Sequence, residues 1–289
     1  MAHQAKLKAW IPFYLQTILS GKLDTSIYRT SYSDVFSVKV AENIYIKKDY
    51  TDTIFKRIIE SPLRTNNTYL YSDLGFYLLM KIIESITNEP LEQYTFENFY
   101  KPMGMATMCY RPLNYFPKER IAPTEMDTSF RKQLLQGYVD DPGAAMLGGV
   151  CGHAGLFSNA NDLAKLLQMF LQFGVYADKD YIEKSTINEF TSYQYPEKHN
   201  RRALGFDKPL NSVPSKKQTC ESTSTLSYGH SGFTGTYFWV EPKENFIYIF
   251  LSNRVYPDAK NVKITTMDIR SNIHQVVYNA IKKSKTNIL

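Results

Sequence analysis

The sequence predicts an α+β fold: a helical lobe, then an antiparallel sheet with a C-terminal covering helix. Three observations predict it. Apolar stripes of helical period run through residues 74–173, short aromatic and β-branched runs split by turn signals occupy residues 227–252, and one more helical stripe closes the chain. Helices precede the sheet instead of alternating with its strands, so a doubly wound parallel sheet is excluded.

From Leu74 the apolar residues Leu74, Tyr77, Leu78, Ile82, Ile83 and Ile86 fall at helical spacing. Ser72 or Asp73 is placed to cap the first turn, and Asn88 and Pro90 to stop the last. Tyr71 sits just ahead of this helix. A second helix is expected from about Asp162 to Phe173, with Leu163, Leu166, Leu167 and Phe170 on one face, Asn159 or Asn161 as the start signal and Gly174 as the stop. Before it, residues 148–155 hold four glycines in eight positions, a stretch that needs unusual backbone angles or close backbone packing.

The last third changes character. Ser227 to Gly232, Thr236 to Val240 and Phe246 to Ser252 read as an antiparallel meander, broken at Phe233-Thr234-Gly235 and at Glu241-Pro242-Lys243-Glu244-Asn245. A final helix with Ile269, Ile273, Val276, Val277, Ala280 and Ile281 on one stripe is expected to cover one face of that sheet. The whole of 1–289 reads as one domain, with a helical lobe to about residue 200 and the sheet and last helix from about 201.

With 289 residues, 43% hydrophobic and 14% aromatic, the chain has ample material for a core and is too apolar for a disordered protein. Its net charge of +6 comes from scattered basic residues, with one short cluster, Lys282, Lys283 and Lys285, at the end. That pattern gives no nucleic-acid-binding tract. Cys109, Cys151 and Cys220 lie far apart with no C-x-x-C pairing, so they signal neither a disulfide framework nor a zinc site, and free buried thiols are expected. No apolar run approaches the roughly 18 residues that span a bilayer. The opening Met1-Ala2-His3-Gln4-Ala5-Lys6 has no signal-peptide core, so the chain as written carries no export address.

Three stretches carry chemistry: Tyr71-Ser72-Asp73 at a helix start, Gly152-His153-Ala154-Gly155 in the glycine-rich loop, and His230-Ser231-Gly232-Phe233-Thr234-Gly235 leading into a strand. Singly each has a plainer reading: packing, a loop histidine bonded to backbone, a β-edge. In this order and spacing they resemble the serine beta-lactamase and penicillin-binding-protein superfamily, above all its class C, D-alanyl-D-alanine carboxypeptidase and esterase-like branches. The opening His3-Gln4-Ala5-Lys6-Leu7 and the turn Pro102-Met103-Gly104-Met105 belong to the same resemblance. More narrowly, residues 121–125, 148–158 and 250–257 look like the beta-lactamase-like module fused behind family 3 glycoside hydrolases in Bacteroidetes-type bacteria. That likeness implies a periplasmic or secreted parent protein with an upstream glycoside hydrolase domain.

The resemblance implies acyl transfer, in which a serine attacks a carbonyl, a lysine one helical turn later helps remove its proton, and a Tyr or Ser of the second motif relays protons to the leaving group. Tyr71 takes the relay role. Asp73 stands where Asn is commoner in the family, adding negative charge beside the phenol, and a plain helix cap remains open for it. His230 takes the place of the usual third-motif lysine as the second catalytic residue, partly cationic at neutral pH and able to donate a hydrogen bond to a substrate carboxylate or to Tyr71. Ser231, Gly232 and Phe233 are implied in substrate binding, with the Phe233 N–H as half of an oxyanion hole and Gly232 admitting a substrate backbone. Tyr71 and His230 are thereby expected to face a common cleft. His153 and Gly155 resemble pocket-wall residues and are assigned packing only. The implied ligand is a small-molecule or peptidoglycan-like substrate, with no cofactor and no metal.

The nucleophile should be a serine with lysine three residues later, since i and i+3 share a helical face. Ser129-Phe130-Arg131-Lys132 alone has that spacing, and it falls after the second motif where the family places the nucleophile before it. The match reads as coincidence, with Ser129 expected on a loop or helix away from the cleft. The family's N-terminal strands and nucleophile helix are therefore expected upstream of Met1, making the chain a fragment, a misassigned start or a decayed copy that is inactive alone. Two functions stay open: a serine hydrolase module acting on an ester, a D-amino-acid amide or a β-lactam, and a non-catalytic binding or interaction module of a larger cell-wall or glycan-processing protein. A glycosidase would need an acid pair that no motif marks.

Overall fold

The structure, a computed structural model, describes residues 3–66, 69–198, 200–209 and 219–286. They fall into two compact units, Met1–Pro102 with Ala106–Ser158, and Met103–Met105 with Asn159–Leu289. Both combine helices with antiparallel strands, the α+β arrangement read from the sequence.

The first unit opens with strands that the sequence reading did not anticipate: β1 (Ile18–Leu19), β2 (Lys22–Leu23), β3 (Tyr28–Arg29), β4 (Val38–Ala41) and β5 (Ile44–Ile46). They are two to four residues long, too short to show a period-2 pattern. β5 lies between β3 and β4, antiparallel to both. Next come α1 (Tyr50–Ile59), α2 (Leu74–Thr87), α3 (Leu91–Thr95), β6 (Cys109–Tyr110), the hairpin of β7 (Pro123–Asp127) and β8 (Gln133–Gln136), α4 (Pro142–Met146), and β9 (Leu156–Phe157), which returns to pair with β6. Phe13, Ile46, Ile54, Tyr77, Phe130, Leu135 and Met146 close around one apolar core.

α2 starts and stops where expected, and four residues of its expected stripe face the core, Leu74 and Tyr77 buried with Leu78 and Ile83 packed beside them. Leu74, Tyr77 and Met80 are buried, while Ile82 and Ile86 are exposed. Which apolar residues turn inward is set by what packs on the helix: Phe13, Phe55 of α1 and the His153 ring all meet Tyr77. Asn88 ends the helix in the left-handed conformation.

In the second unit α5 (Ala160–Leu171) begins as expected, with the Asn159 side chain accepting the Asp162 N–H at 2.9 Å. β10 (Val175–Tyr176), β11 (Lys179–Asp180) and α6 (Lys184–Thr191) follow. The meander is β12 (Tyr228–Ser231), β13 (Tyr237–Glu241) and β14 (Phe246–Phe250), antiparallel throughout, with His230 opposite Phe238. Leu163, Leu167 and Leu171 of α5 pack with Tyr228, Val240 and Ile249 on one face of the sheet. After the short α7 (Lys263–Thr266), α8 (Ile269–Thr286) covers the opposite face, where Tyr237, Trp239 and Tyr248 meet Val277.

The stripe expected for α8 is corrected by the structure. Ile273 and Val276 are exposed, and the residues buried against the sheet are His274 and Tyr278. The His274 ring stacks on Tyr248 at 4.3 Å, and the Tyr278 hydroxyl donates to Glu241. Aromatic stacking and a satisfied buried carboxylate outweigh aliphatic burial in setting the helix rotation.

Candidate active-site clusters

In the first unit the chemistry gathers at the start of α2. Ser72, not Asp73, supplies the cap: its Oγ accepts the Leu74 N–H at 3.2 Å and donates to the Ala9 carbonyl at 3.0 Å. Asp73 makes no side-chain capping bond. His3 adds a tie, with Nδ1 2.9 Å from Ser72 Oγ and Nε2 2.8 Å from the Leu7 carbonyl oxygen. The N-terminal segment is thus fastened to the second motif. Trp10 completes that wall by stacking on Tyr71 at 6.1 Å.

Freed from capping, the Asp73 carboxylate accepts a hydrogen bond from the Tyr71 hydroxyl. It faces a group that the sequence reading left as packing. Asp73, Asp141 and His153 bring one side-chain donor atom each to within 4.8 Å of one another. His153 Nε2 is 2.9 Å from Asp141 Oδ1, its Nδ1 is 3.2 Å from Cys151 Sγ, and its ring lies on Tyr77 at 4.6 Å, almost parallel. Asp141 is itself the N-cap of α4, its Oδ1 also accepting the Ala144 N–H at 2.7 Å. The trio has the spacing of a cation site, but ion pairing already accounts for its geometry, so no metal is assigned.

The glycines around His153 hold the ring there. Gly155 has φ +112°, and a Cβ on it would come within 2.2 Å of the Gly149 carbonyl oxygen. A Cβ on Gly152 would meet the Phe76 carbonyl oxygen of α2 at 2.5 Å. The loop therefore lies directly on α2, which is how a loop histidine reaches Asp73.

Electrostatics follow from this geometry. Burial by itself would depress His153, but the bonds to Asp141 and Cys151 outweigh it and lift the imidazole to about 10, so it is a cation at neutral pH. Burial pushes Asp141 up, and His153 more than reverses that, holding it below the usual carboxylate range. Asp73 is raised, mainly by burial, with the charge of His153 opposing the rise and that of Asp141 adding to it. A cavity of about 180 Å³ opens beside these groups, lined in part by Trp10, Pro12, Asp73, Tyr77 and Asp141.

Ser129 lies elsewhere in this unit. It is exposed in the turn between β7 and β8, where its Oγ donates to Asp127 Oδ1 at 3.2 Å. Lys132 points away and donates to the Gly21 carbonyl at 2.6 Å. Serine and lysine are thus not a nucleophile–base pair. Arg131 between them is buried against Asp127 at 2.7 Å.

In the second unit His230 projects from β12 beside Arg202 and Asp207. Its Nδ1–H donates to the Ser231 carbonyl at 3.0 Å, which leaves Nε2 to accept from Arg202 Nη1 at 3.3 Å. Burial, with Arg202 adding to it against the opposing charge of Asp207, depresses the imidazole below its ordinary value. This corrects the expectation of a partly cationic His230: the fixed positive charges are Arg201 and Arg202, which share Asp207. Ser231 is half-buried at the end of β12 and Phe233 is exposed, its ring under the Arg254 guanidinium at 4.5 Å. A Cβ on Gly232 would come within 2.3 Å of Thr236 Oγ1, so the hairpin's own packing already favours glycine there.

Asp141, His153, Tyr77, Arg202 and Asp207 were missed as site residues. An Asp-Pro start at residues 141–142 was a readable cap signal. Nothing local links it to a histidine twelve positions on.

Mixed helices and antiparallel sheets, with a tyrosine at a helix start and a His-Ser-Gly strand, define a beta-lactamase/transpeptidase-like fold. Residues 32–269 match the Beta-lactamase family, and the chain belongs to it. A protein of Escherichia coli K12 named D-alanyl-D-alanine carboxypeptidase is 33% identical over 212 residues, covering 68% of this chain and 48% of its own length. Its like-named relative in Salmonella enteritidis PT4 is 33% identical over 227 residues, covering 73% and 52%. The chain spans about half the length of the curated relatives it matches. Among solved structures, a beta-lactamase from Mycobacterium bovis superposes with TM-score 0.50 at 21% identity, over 74% of this chain and 64% of that one. A mutant simvastatin synthase of Aspergillus terreus superposes with TM-score 0.53 at 17% identity, over 82% and 61%. At these identities the superpositions bear on the fold.

Proposed function

We propose that this chain is a serine hydrolase-type acyl-transfer module acting on an ester, a D-amino-acid amide or a β-lactam. Tyr71 relays the proton, Asp73 orients it, and His230 with Ser231, Gly232 and the Phe233 N–H binds the substrate carbonyl and its neighbouring groups. The observation that carries the reading is the Tyr71 hydroxyl bonded to an Asp73 carboxylate that caps nothing, at the start of α2, in a member of the Beta-lactamase family. A phenol oriented by a carboxylate is positioned to pass a proton and adds little to helix stability.

The attacking serine belongs, in this reading, to a Ser-x-x-Lys segment other than Ser129–Lys132, whose side chains are engaged with Asp127 and Gly21. The narrower likeness to modules fused behind family 3 glycoside hydrolases is part of the same proposal, and it makes peptidoglycan-like or glycan-linked acyl groups the substrates to try first. The carboxypeptidase names of the relatives favour a D-amino-acid amide among the three classes.

The test is mass spectrometry after treatment with a penicillin or a fluorophosphonate. The 289-residue chain is expected to show no adduct, and a longer form carrying an upstream Ser-x-x-Lys to show one adduct on that serine. A stoichiometric adduct on Ser129 overturns the assignment of the nucleophile. Failure of every Ser-x-x-Lys form to label overturns acyl transfer and leaves a binding module.

A further inference from the structure

His153 is 4% exposed in its side chain, and both ring nitrogens and one ring face are engaged. Asp141 from the N-cap of α4 holds Nε2, Cys151 of its own loop holds Nδ1, and Tyr77 of α2 covers the ring. Asp73, at the start of α2, brings a carboxylate oxygen within 4.8 Å of the pair. Arg131, from the β7–β8 turn, acts on Asp141 from further away. The Tyr110 hydroxyl donates to the Cys151 carbonyl at 3.4 Å and supports the loop from behind. Among the described residues, two carboxylates and one imidazole meet around this point.

Two carboxylates this close, half-buried, cannot both stay ionised without a positive charge between them. If the imidazole is neutral, one carboxylate takes a proton. Asp141 is the less suitable acceptor, since its Oδ1 already receives the Ala144 N–H. The proton therefore goes to Asp73, which then becomes a donor and competes with the Tyr71 hydroxyl. With an imidazolium present, Asp73 remains an acceptor and the Tyr71 proton is fixed on the Asp73 side.

We propose that His153, clamped by Asp141, is a positioning residue that keeps Asp73 an ionised acceptor and thereby sets the orientation of the Tyr71 hydroxyl. The use of that hydroxyl in catalysis rests on the acyl-transfer reading, whereas the charge arrangement does not. The glycines at 152 and 155 then serve a chemical purpose: they let the loop lie close enough to α2 for a cation to reach the second motif.

The experiment is a pH titration by NMR of the 289-residue chain, following the His153 ring nitrogens and the Asp73 side-chain carboxyl carbon, the latter assigned with Asp73→Asn. In the unmodified chain the His153 ring is expected to remain an imidazolium through pH 8. In His153→Gln, with the fold checked by circular dichroism, the Asp73 midpoint is expected to rise by at least one pH unit, a tenfold change in proton affinity. A ring that titrates near 6.5 in the unmodified chain overturns the proposal, and this measurement stands even if the variant does not fold. An Asp73 midpoint that does not move in a folded His153→Gln chain also overturns it. Neither readout involves turnover, so failure to acylate would strike the proposed reaction and not this arrangement.

Discussion

His153 Nε2 lies 2.9 Å from Asp141 Oδ1, an ion pair between a glycine-rich loop and the cap of a five-residue helix. Because the folded His153 titrates at about 10 against an ordinary value of 6.5, its stabilisation is fully present below pH 6.5 and is lost as pH rises through about 10. Urea unfolding of the unmodified chain should therefore show falling stability across that window, and His153→Gln should flatten it. The comparison with the variant is needed because Glu125, raised to about 7 by burial and by Asp140, contributes a loss of the same sign at lower pH. Equal pH slopes in the two chains would contradict the pairing.

Asp141→Ala removes two things at once, the cap of α4 and the counter-charge of a buried imidazolium. Cap loss costs ~1 kcal/mol. Stranding a buried charge costs about 3 kcal/mol if His153 stays protonated, and less if it gives up its proton. A total of about 2–4 kcal/mol is expected from chemical denaturation, smaller at pH 9 than at pH 6, because the unmodified chain loses its His153 stabilisation towards pH 10 while burial leaves the imidazole of the variant neutral at both.

Ser129→Ala and Lys132→Ala should each change stability by less than about 0.5 kcal/mol, as exposed turn substitutions do. They should leave probe labelling of a Ser-x-x-Lys-containing form unaltered. Arg131→Ala, one residue away, should cost about 3–5 kcal/mol because it leaves the buried Asp127 carboxylate without its partner. Melting temperatures of the three variants measure the contrast.

The second unit should be acid-labile through His274. Burial lowers this imidazole from 6.5 to about 4, so its contribution is present above pH 6.5 and is lost as pH falls through about 4, where the unfolded state takes the proton first. Among the described residues Nε2 of His274 has no hydrogen-bond partner, while Nδ1 lies 3.2 Å from Thr219 Oγ1 and the ring stacks on Tyr248. His274→Phe keeps the stack and removes the titration. Fluorescence of the buried Trp239 should report weaker acid unfolding in this variant than in the unmodified chain.

Tyr278→Phe tests the buried carboxylate behind that helix. Glu241 is fully buried and accepts bonds from Ser224, Ser227 and Tyr278, which together overcome its burial and hold it below the usual range. Losing one donor to a buried carboxylate should cost about 1.5–3 kcal/mol. A substitution without measurable effect on the urea midpoint would show the other donors to be sufficient.

Local sequence determined much of this protein. Periodicity placed α2 and α5, turn residues separated β12, β13 and β14, and Tyr71-Ser72-Asp73 with His230-Ser231-Gly232 marked the family, because spacing along an element and backbone preference are properties of neighbouring residues. Only the tertiary structure decided that Ile82 and Ile86 of α2 face outward, which stripe of α8 is buried, that Ser72 and not Asp73 caps, that His230 is neutral beside Arg202, and that His153 is a cation facing Asp73. Each of these depends on groups from separate elements meeting in a poorly hydrated place, where a charge or hydrogen bond is set by what lies across the gap, and residues 73, 141 and 153 acquire their common chemistry only when the glycine loop closes onto the helix.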